Sequence, residues 1–451
     1  MDNLLNISPL DGRYASPTKD LQNYFSEFAL QKYRLFIEVE YFIALSLEKQ
    51  IKELPPLSVL NQKLLRKIYE NFSLTDSKKI KTIESTTNHD VKAIEYFLKS
   101  KLPKNLEKYS EFIHFGLTSE DINNLSFSLM LSNGVKNVII PEINKILALI
   151  KKIVKKEADT PLLSLTHGQP ATPTTLGKEM AVFYNRINRG LNHLKIIKLD
   201  GKFSGATGNF AALQISYPEV DWINFSKKFI NKIGFVPNLL TTQIEPHDSV
   251  CLMYNAVAMI NNIIKDLDQD MWLYISRGIF KLKKKAGEIG SSTMPHKVNP
   301  INFENSEGNL GLANAILRFL SDKLPISRMQ RDLTDSTLLR NQGVALAYTL
   351  LAYKNTVIGL EKLEINKKVI QEELDNHWEV LAEPIQTILR KIGAEKPYEK
   401  LKELTQGEKI DKNTIQEFIK KLDIPKSEKD KLLKLIPDNY TGLSKKLTQL
   451  L

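Results

Sequence analysis

Hydrophobic side chains recur every three or four residues through most of this sequence, a spacing that fits a helix and not a strand. Four long stretches show it, at residues 21–42, 143–154, 176–194 and 252–274. Several of these helices would exceed about 20 residues, roughly twice the usual length. Helices of that length pack into bundles. The segment 343–360 is apolar nearly all round, so it must be buried inside a large bundle or between subunits, which is a reason to expect an oligomer.

Composition supports the helical interpretation. The 451 residues are 42% hydrophobic and include 20 glycines and 19 prolines. This Gly and Pro content is below the roughly 12% of an average globular chain, which excludes collagen-like and low-complexity sequences and argues against strand-rich sandwiches. The one cysteine, Cys251, allows no intrachain disulfide and no cysteine-rich zinc site.

Charge and hydropathy indicate where the protein is located and which partners it could bind. We find no basic segment followed by an apolar run at the amino terminus, and the apolar stretches, about 11 residues at most, are too short for a bilayer. A soluble cytoplasmic protein is therefore the expectation. The net charge of +11 is compatible with nucleic acid, anionic lipid or an anionic small substrate. Because the lysines are spread along the whole chain, a solvated basic surface explains most of them.

The length predicts about three domains at one per ~150 residues. We place an N-terminal group of helices at residues 1–110 and the long helices at 111–365. Shorter helical pieces punctuated by prolines follow at 366–451.

Six dense polar patches separate the periodic stretches, and five of the seven histidines fall inside them. Helix capping explains the Ser, Thr, Asn and Asp residues of these patches, and Thr118 with Asp121 has the spacing of a capping box. Capping does not explain the Lys, His and Gln residues, so we expect a site shared by helix ends. The patches are residues 86–90, 114–124, 166–175, 241–248, 290–305 and 327–340.

The patch at 290–305 contains a loop suited to closing over a substrate. It reads GSSTMPHKVNP, with glycines before it and prolines limiting it afterwards. Lys297 and a nearby helix start would favour a carboxylate or a carbanion delocalised into one. A serine here could be a nucleophile or a proton acceptor, and the residues alone do not decide which. The alternative is an ordinary flexible loop.

Other patches add acid–base and anion-binding groups. His167 precedes Gly168, with Pro170 and Pro173 opening the third predicted helix, and it is a candidate general acid or base. A structural histidine is the alternative. The arginines at 328, 331 and 340 could bind phosphate or carboxylate groups, although Arg331 could instead pair with Asp332. We find no Walker A, G-x-G-x-x-G or H-E-x-x-H motif, which favours cofactor-free and metal-free acid–base chemistry.

These patches resemble the fumarase/aspartase superfamily. The signature loop corresponds to GSSTMPHKVNP, and within the superfamily His296 and the segment THGQPATP resemble the adenylosuccinate lyases of the long bacterial type. The likeness covers almost the whole chain. Its other segments are SPLDGRY, TTNHD, LTSEDINN, SRMQRDLTDST and LAEPIQT.

The resemblance implies an all-α subunit of three helical domains whose central long-helix bundle, with the loop at 286–300, forms a tetramer core. Each active site would combine patches from three chains. It implies two anionic nucleotide substrates, adenylosuccinate and the succinyl-carboxamide ribotide SAICAR, both releasing fumarate by β-elimination to leave AMP or AICAR. It implies no cofactor, no metal, and no nucleic-acid or membrane partner.

The resemblance also assigns roles in the reaction. Ser291 matches the general base that removes the proton beside a succinyl carboxylate. Lys297 and Asn299 would stabilise the developing negative charge. His167 matches the general acid that protonates the departing nitrogen, with Glu304 orienting it.

The remaining residues carried over from the resemblance would bind the substrate. His89, also counted as catalytic, would line the pocket with Asn88 and Asp90. Arg13, Tyr14, Arg331, Ser336 and Arg340 would hold the phosphate and ribose end, whereas Thr118, Ser119, Gln243, Ser292 and Asn305 would contact or lie near the succinyl group.

The sequence departs from the family pattern at two positions, and two other functions remain as alternatives. Met329 stands where the family pattern has an aromatic residue, and Asn302 where it has Asp, which puts pocket packing in question more than chemistry. Another superfamily member, such as a carboxymuconate cycloisomerase, could share the loop, but its substrate has no phosphate for the arginines. A helical RNA-binding or scaffold protein would instead bind nucleic acid with a steep salt dependence.

Overall fold

The structure is a computed structural model that describes residues 3–283, 294, 297–405 and 410–451. It divides into two compact units. Unit 1 comprises residues 1–143, 190–262 and 308–354, and unit 2 comprises residues 144–189, 263–307 and 355–451. The three-domain boundaries expected from the sequence stay a prediction.

Helices dominate the described chain, as the periodicity predicts. They are α1 (Ala15–Thr18), α2 (Gln22–Phe25), α3 (Glu27–Ser46), α4 (Val59–Glu70), α5 (Leu74–Thr87), α6 (Asp90–Ser100), α7 (Ser119–Gly134), α8 (Ile140–Lys156), α9 (Leu176–Ile196), α10 (Ala211–Ser216), α11 (Trp222–Ile233), α12 (Asp248–Ser276), α13 (Ile301–Lys323), α14 (Thr334–Leu339), α15 (Gln342–Lys362), α16 (Lys367–Asp375), α17 (Ala382–Lys391), α18 (Pro397–Thr405), α19 (Lys412–Lys421), α20 (Lys426–Leu433) and α21 (Ser444–Thr448).

Strands are short, and in the described residues they form three two-stranded sheets. Strand β1 pairs antiparallel with β2, β3 pairs parallel with β4, and β5 pairs antiparallel with β6. Their bounds are β1 (Pro161–Thr166), β2 (Gln169–Thr175), β3 (Asp200–Gly201), β4 (Val236–Pro237), β5 (Phe280–Leu282) and β6 (Leu363–Ile365).

The core of unit 1 is built around α3, which packs against α4, α6 and α7. Ser26 has an extended backbone, and its hydroxyl accepts the Ala29 N–H at 3.1 Å, so α3 starts at a capped end. This cap divides the apolar stretch at 21–42 into α2 and α3. Tyr41 is fully buried in α3, and its hydroxyl donates to the Phe115 carbonyl at 2.6 Å.

A ladder of buried polar groups crosses α12, α13 and α15 within unit 1. The Asn261 amide donates to Asn314 Oδ1 at 2.9 Å and to Thr349 Oγ1 at 3.2 Å, and it accepts the Tyr353 hydroxyl at 2.7 Å. Side chains of α15 are buried on most of its faces, which confirms the expectation for the apolar segment at 343–360. A ladder of this kind fixes the register of packed helices, because a shifted register would leave buried amides unpaired.

In unit 2, β1 and β2 form a hairpin whose two-residue turn is His167–Gly168, between the paired residues Thr166 and Gln169. Both turn residues have positive φ, 53° and 73°, which is the pattern of a type I′ turn. The expectation that Pro170 and Pro173 open a helix is wrong, because both lie in β2 and α9 begins only at Leu176. A two-stranded ribbon tolerates proline because one edge of each strand has no partner strand.

The remaining periodic stretches become α8, α9 and α12 as predicted, and α9, α12, α13 and α15 each have at least 21 residues. In the C-terminal part of unit 2, α17 packs against α18, and α19 against α20. In the part of the chain that the structure describes, no helix combines the length and apolarity needed to cross a bilayer.

Candidate functional site

The N-terminus of α7 is held by a buried carboxylate. Thr118 and Asp121 form the predicted capping box, with the Thr118 N–H donating to Asp121 Oδ2 at 2.9 Å. Asp121 also accepts the Ser204 N–H at 2.8 Å and pairs with the Lys202 ammonium at 2.8 Å, and both charged side chains are fully buried. The residues Thr118 and Ser119 are therefore displayed from a rigid helix start.

Arg331 lies beside that helix start. Its Nη2 is 3.2 Å from Glu120 Oε2 and 3.5 Å from Asp335 Oδ1, while Nη1 donates to Gln243 Oε1 at 3.4 Å. The proposed alternative, an ion pair with Asp332, is made by Arg328 instead, at 3.2 Å. Three of the polar patches, at 114–124, 241–248 and 327–340, thus meet at one guanidinium.

Behind Arg331 is a cluster of buried titratable groups. Glu120, His247 and Asp335 each offer an oxygen or nitrogen atom within 4.8 Å of the others. Burial raises the pKa of Glu120 to about 7. Burial alone would lower the pKa of His247, but the carboxylates of Asp335, Glu120 and Glu245 outweigh it and raise that pKa.

A metal ion is a poor occupant of this cluster. It would have to share the two carboxylates with the Arg331 guanidinium, whose positive charge lies 3.2 Å and 3.5 Å from them. A cation bound to the same carboxylates would lie close to this positive charge, and like charges repel strongly in a buried site. The arrangement is suited to holding an arginine.

A second cluster surrounds Asp90, in the patch at 86–90. Its Oδ2 contacts the Arg34 guanidinium at 2.8 Å and the Arg340 guanidinium at 2.9 Å. Arg34 in turn donates from Nε to Asn123 Oδ1 of α7 at 2.9 Å. Burial alone would raise the pKa of Asp90, but the two arginines lower it. Arg340 also pairs with Glu27 at 3.1 Å.

His89 caps α6 through its ring. Its Nδ1 accepts the Lys92 N–H at 3.1 Å, so Nδ1 carries no proton and the neutral ring is protonated at Nε2. The preceding residue, Asn88, ends α5 with a positive φ of 50°, which turns the chain sharply and leaves both side chains exposed. A neutral His89 can therefore donate a hydrogen bond from Nε2 to an anionic ligand.

The other predicted binding residues of unit 1 are distributed as follows. Arg13 is exposed, with its guanidinium 5.9 Å from the centre of the Tyr14 ring. Ser336 lies in α14, and its N–H donates to the Asp335 carboxylate at 2.6 Å. Met329 is almost fully exposed at a positive φ of 50°, so this departure from the aromatic pattern affects a surface side chain.

Apart from His89, the predicted catalytic residues that can be described lie in unit 2. His167 is exposed at the tip of the β1–β2 hairpin. Lys297 is also exposed, and its N–H donates to the Met294 carbonyl at 3.0 Å. Glu304, in the first turn of α13, accepts the Trp272 indole N–H at 3.1 Å. Its role in orienting His167 stays a prediction.

The patch at 290–305 is described only in part. Ser291, Ser292 and His296 lie outside the described residues. Asn299 and Asn305 are half-buried on either side of the α13 start. Asn302 donates to Asn355 Oδ1 at 3.0 Å, so the amide that replaces the expected Asp makes a contact between α13 and α15.

Comparison with known proteins identifies the family. A model described as Lyase matches residues 12–316, and one described as Adenylosuccinate lyase C-terminal matches residues 327–441. The adenylosuccinate lyase of Haemophilus influenzae is 52% identical over 451 residues, covering 100% of this chain and 99% of the relative. That of Escherichia coli K12 is 51% identical, covering 98% of this chain and 97% of the relative. The chain belongs to the adenylosuccinate lyase family.

Two solved structures show the same fold as this member of the adenylosuccinate lyase family. A fumarate lyase from Mesorhizobium sp. BNC1 matches with a TM-score of 0.76 at 17% identity, covering 96% of this chain and 97% of that chain. A 3-carboxy-cis,cis-muconate lactonizing enzyme from Pseudomonas putida matches with a TM-score of 0.74 at 18% identity, covering 96% of both chains. The chain therefore has the helical fold implied by the resemblance.

Sequence reasoning missed the groups that support this candidate site. Glu120, Lys202, His247 and Asp335 are all buried, and none was among the predicted site residues. Three of them lie inside the polar patches, and two of these, Glu120 and Asp335, directly adjoin a predicted binding residue, which was the available signal. The sequence around Lys202 carries less signal of a site residue, because its glycine-rich segment has the pattern of an irregular loop.

Proposed function

We propose that this enzyme catalyses the cofactor-free β-elimination of fumarate from adenylosuccinate, giving AMP, and from SAICAR, giving AICAR. The observation that carries the proposal is the identity of about half of all positions, over nearly the full length, to relatives named adenylosuccinate lyase. A carboxymuconate cycloisomerase is disfavoured, since the solved lactonizing enzyme shares only 18% identity.

The contacts of unit 1 support a role in binding the nucleotide. Arg331, Ser336 and Arg340 come from one segment and, with Arg13 and Tyr14, would hold the phosphate and ribose end. Arginine suits this purpose because its planar donors match phosphate oxygens in pairs. Asn88, His89 and Asp90 would line the pocket, with His89 donating from Nε2. Thr118, Ser119 and Gln243 would contact the succinyl group, with Ser292 and Asn305 nearby.

The proposed chemistry needs one base and one acid. Ser291 would remove the proton beside a succinyl carboxylate, while Lys297 and Asn299 stabilise the negative charge that develops on that carboxylate. The C–N bond then breaks, and His167 would give its proton to the departing nitrogen as fumarate forms. Glu304 would orient the His167 ring. An exposed position at a hairpin tip is compatible with delivering this proton to a ligand.

We propose a homotetramer with active sites shared between subunits, built on the long helices. Leu252 and Met259 of α12 are seven residues apart, as are Leu312 and Phe319 of α13, so each pair lies on one helix face. All four side chains are more than half exposed. Large apolar stripes of this kind mark association surfaces. Light scattering should give a mass of four chains, and Met259→Asp should lower it.

A cytoplasmic location, without nucleic-acid or membrane partners, completes the proposal, because the substrates are soluble nucleotides. The direct test is to incubate the purified protein with adenylosuccinate and to measure fumarate and AMP. We expect the two products in equal amounts. Absence of fumarate, together with turnover of 3-carboxy-cis,cis-muconate or salt-sensitive RNA binding, would replace this function by one of the two alternatives.

A further inference from the structure

The carboxylate of Glu120 lies between two parts of the candidate site. It follows Ser119 directly at the start of α7, and its Oε2 is 3.2 Å from Arg331 Nη2. Glu120 is only 2% exposed, and the side chain of Arg331 is 14% exposed. One buried ion pair thus links the helix end that carries Thr118 and Ser119 to the arginine that would bind the nucleotide.

We propose that Glu120 is a positioning residue, which, with Asp335 and His247 behind it, fixes the orientation of the Arg331 guanidinium toward the phosphate end of the substrate. This inference rests on the proposed function, because that function is what assigns Arg331 to the phosphate end. Glu120 does not itself touch the substrate in this account. It acts only through Arg331.

The geometry restrains Arg331 on several sides. Glu120 and Asp335 both face Nη2, whereas Gln243 accepts from Nη1 at 3.4 Å. Asp335 is itself fixed, because the Ser336 N–H donates to its Oδ1 at 2.6 Å. A guanidinium held by groups on α7, on α14 and in the segment before α12 has little freedom to rotate. Such preorganisation improves ligand affinity because less conformational entropy is lost on binding.

The cluster lowers the stability of the folded protein, which argues against a purely structural role. Among the described side chains, four of its polar atoms are buried without a hydrogen-bond partner: Glu120 Oε1, Arg331 Nε, and the pair His247 Nε2 and Asp335 Oδ2, which lie 3.9 Å apart as an ion-pair contact. A buried polar atom without a hydrogen bond destabilises the folded state. Well-packed apolar residues often replace buried ion pairs without loss of stability. A functional requirement explains why these charges are kept.

We expect the charge of the cluster to change near neutral pH. The groups that face Glu120 are Arg331, His247, Asp335 and, further away, Lys202. Burial places the pKa of Glu120 at about 7. As pH falls through that value, Glu120 gains a proton and loses the charge that holds Arg331. We therefore expect the KM of the enzyme to rise on the acid side of pH 7.

The test compares Glu120→Gln, which keeps the shape but removes the charge, with Glu120→Asp, which keeps the charge. For Glu120→Gln we expect KM for adenylosuccinate and Kd for AMP to rise about tenfold, within the range of coupling between contacting residues. The value of kcat should change less than about twofold, because uniform binding is what is lost. Glu120→Asp should recover part of the affinity, and the acid limb of the KM profile should vanish in Glu120→Gln.

Glu40→Gln is the matched control. Glu40 is another buried carboxylate of unit 1, and it is paired with Arg66 at 2.7 Å and Lys232 at 2.9 Å, outside the candidate site. Its KM and AMP affinity should equal those of the wild type. A second check is Arg331→Met alone and with Glu120→Gln, since the two changes should not add if Glu120 acts through Arg331.

The outcomes separate this inference from the proposed function. If the wild type releases fumarate but Glu120→Gln keeps the wild-type KM and AMP affinity, the positioning role is wrong and the function stands. If Glu120→Gln does not fold, Glu120→Asp decides: an unchanged KM profile below pH 7 overturns the proposal. If the wild type binds AMP without releasing fumarate, the function fails and the AMP affinities still judge Glu120. A wild type that does neither overturns both.

Discussion

The predicted site residues of the two units are held in contrasting ways. In unit 1, Asp90 and Arg331 are each fixed by two charged partners, and several of those partners are buried. In unit 2, His167 and Lys297 are exposed, and the structure gives neither side chain an ion pair within the described residues. The comparison suggests that the binding groups are preorganised by the fold, whereas the groups proposed to move protons and stabilise charge depend on the ligand to complete their environment.

The largest expected effect follows from removing the proton carriers. We expect His167→Ala and Ser291→Ala each to lower kcat about 10³-fold, in the range that general acid–base catalysis contributes. Far-ultraviolet circular dichroism is recorded for both variants, and that of His167→Ala should stay unchanged because His167 lies exposed at a turn. The readout is steady-state fumarate release, with the exposed His193→Ala of α9 as control. Near-normal rates in either variant would remove that residue from the mechanism.

A mixture of the two inactive variants tests whether the sites are shared. If His167 and Ser291 reach one site from different chains, subunit exchange should restore part of the wild-type activity, since some mixed sites then contain both intact residues. Exchange is verified with differently tagged chains. Zero activity in tetramers proven to be mixed would contradict the assignment of the two residues to different chains.

The next effect separates the two arginines on Asp90. Arg34 is 1% exposed, so Arg34→Met leaves a carboxylate without its buried partner and should lower the free energy of unfolding by about 3 kcal/mol. Arg340 is 42% exposed, so Arg340→Met should cost less than about 1 kcal/mol but raise KM for adenylosuccinate. Urea unfolding and steady-state kinetics provide the two measurements. Equal stability losses would show that burial does not distinguish these arginines.

The smallest effect concerns pH. His114 Nδ1 is 2.6 Å from the buried Glu38 carboxylate. Burial alone would lower the pKa of His114, but Glu38 raises it above the ordinary 6.5. Stability from the charged pair is therefore fully present below pH 6.5 and is lost as pH rises through the raised pKa.

His114→Gln should remove this dependence. The stability difference between wild type and variant should be larger at pH 6 than at pH 9, as measured by urea midpoints at both values. A difference that does not change between the two pH values would mean that the histidine is not charged in the folded protein at pH 6.

The sequence predicts structural features that depend on neighbouring residues better than features that depend on residues far apart in the chain. Local periodicity located α8, α9 and α12, the segment at 343–360 that is apolar nearly all round corresponds to α15, and the Thr118–Asp121 spacing predicted a capping box. The sequence could not predict the β1–β2 hairpin, because proline is favoured at helix starts and is tolerated in strands only at edges, so Pro170 and Pro173 pointed to a helix.

The candidate site shows the same difference between local and long-range features. Residue types alone pointed to the polar patches, and the family resemblance supplied the individual roles. The pair of Arg331 with Asp335 has a local i,i+4 spacing, but the pair with Glu120 could not be predicted, because the two residues are 211 positions apart and only the folded chain brings them together. Long-range charge pairing has no local pattern, so it appears only with the fold.

The single thiol of the chain offers a practical reporter. Cys251 is buried in α12, and burial raises the pKa of its thiol to about 12. An alkylating reagent at neutral pH therefore meets neither an accessible sulfur nor a thiolate until the helix around it opens. The rate of alkylation then measures how often α12 is exposed to solvent, and it does so without an introduced label.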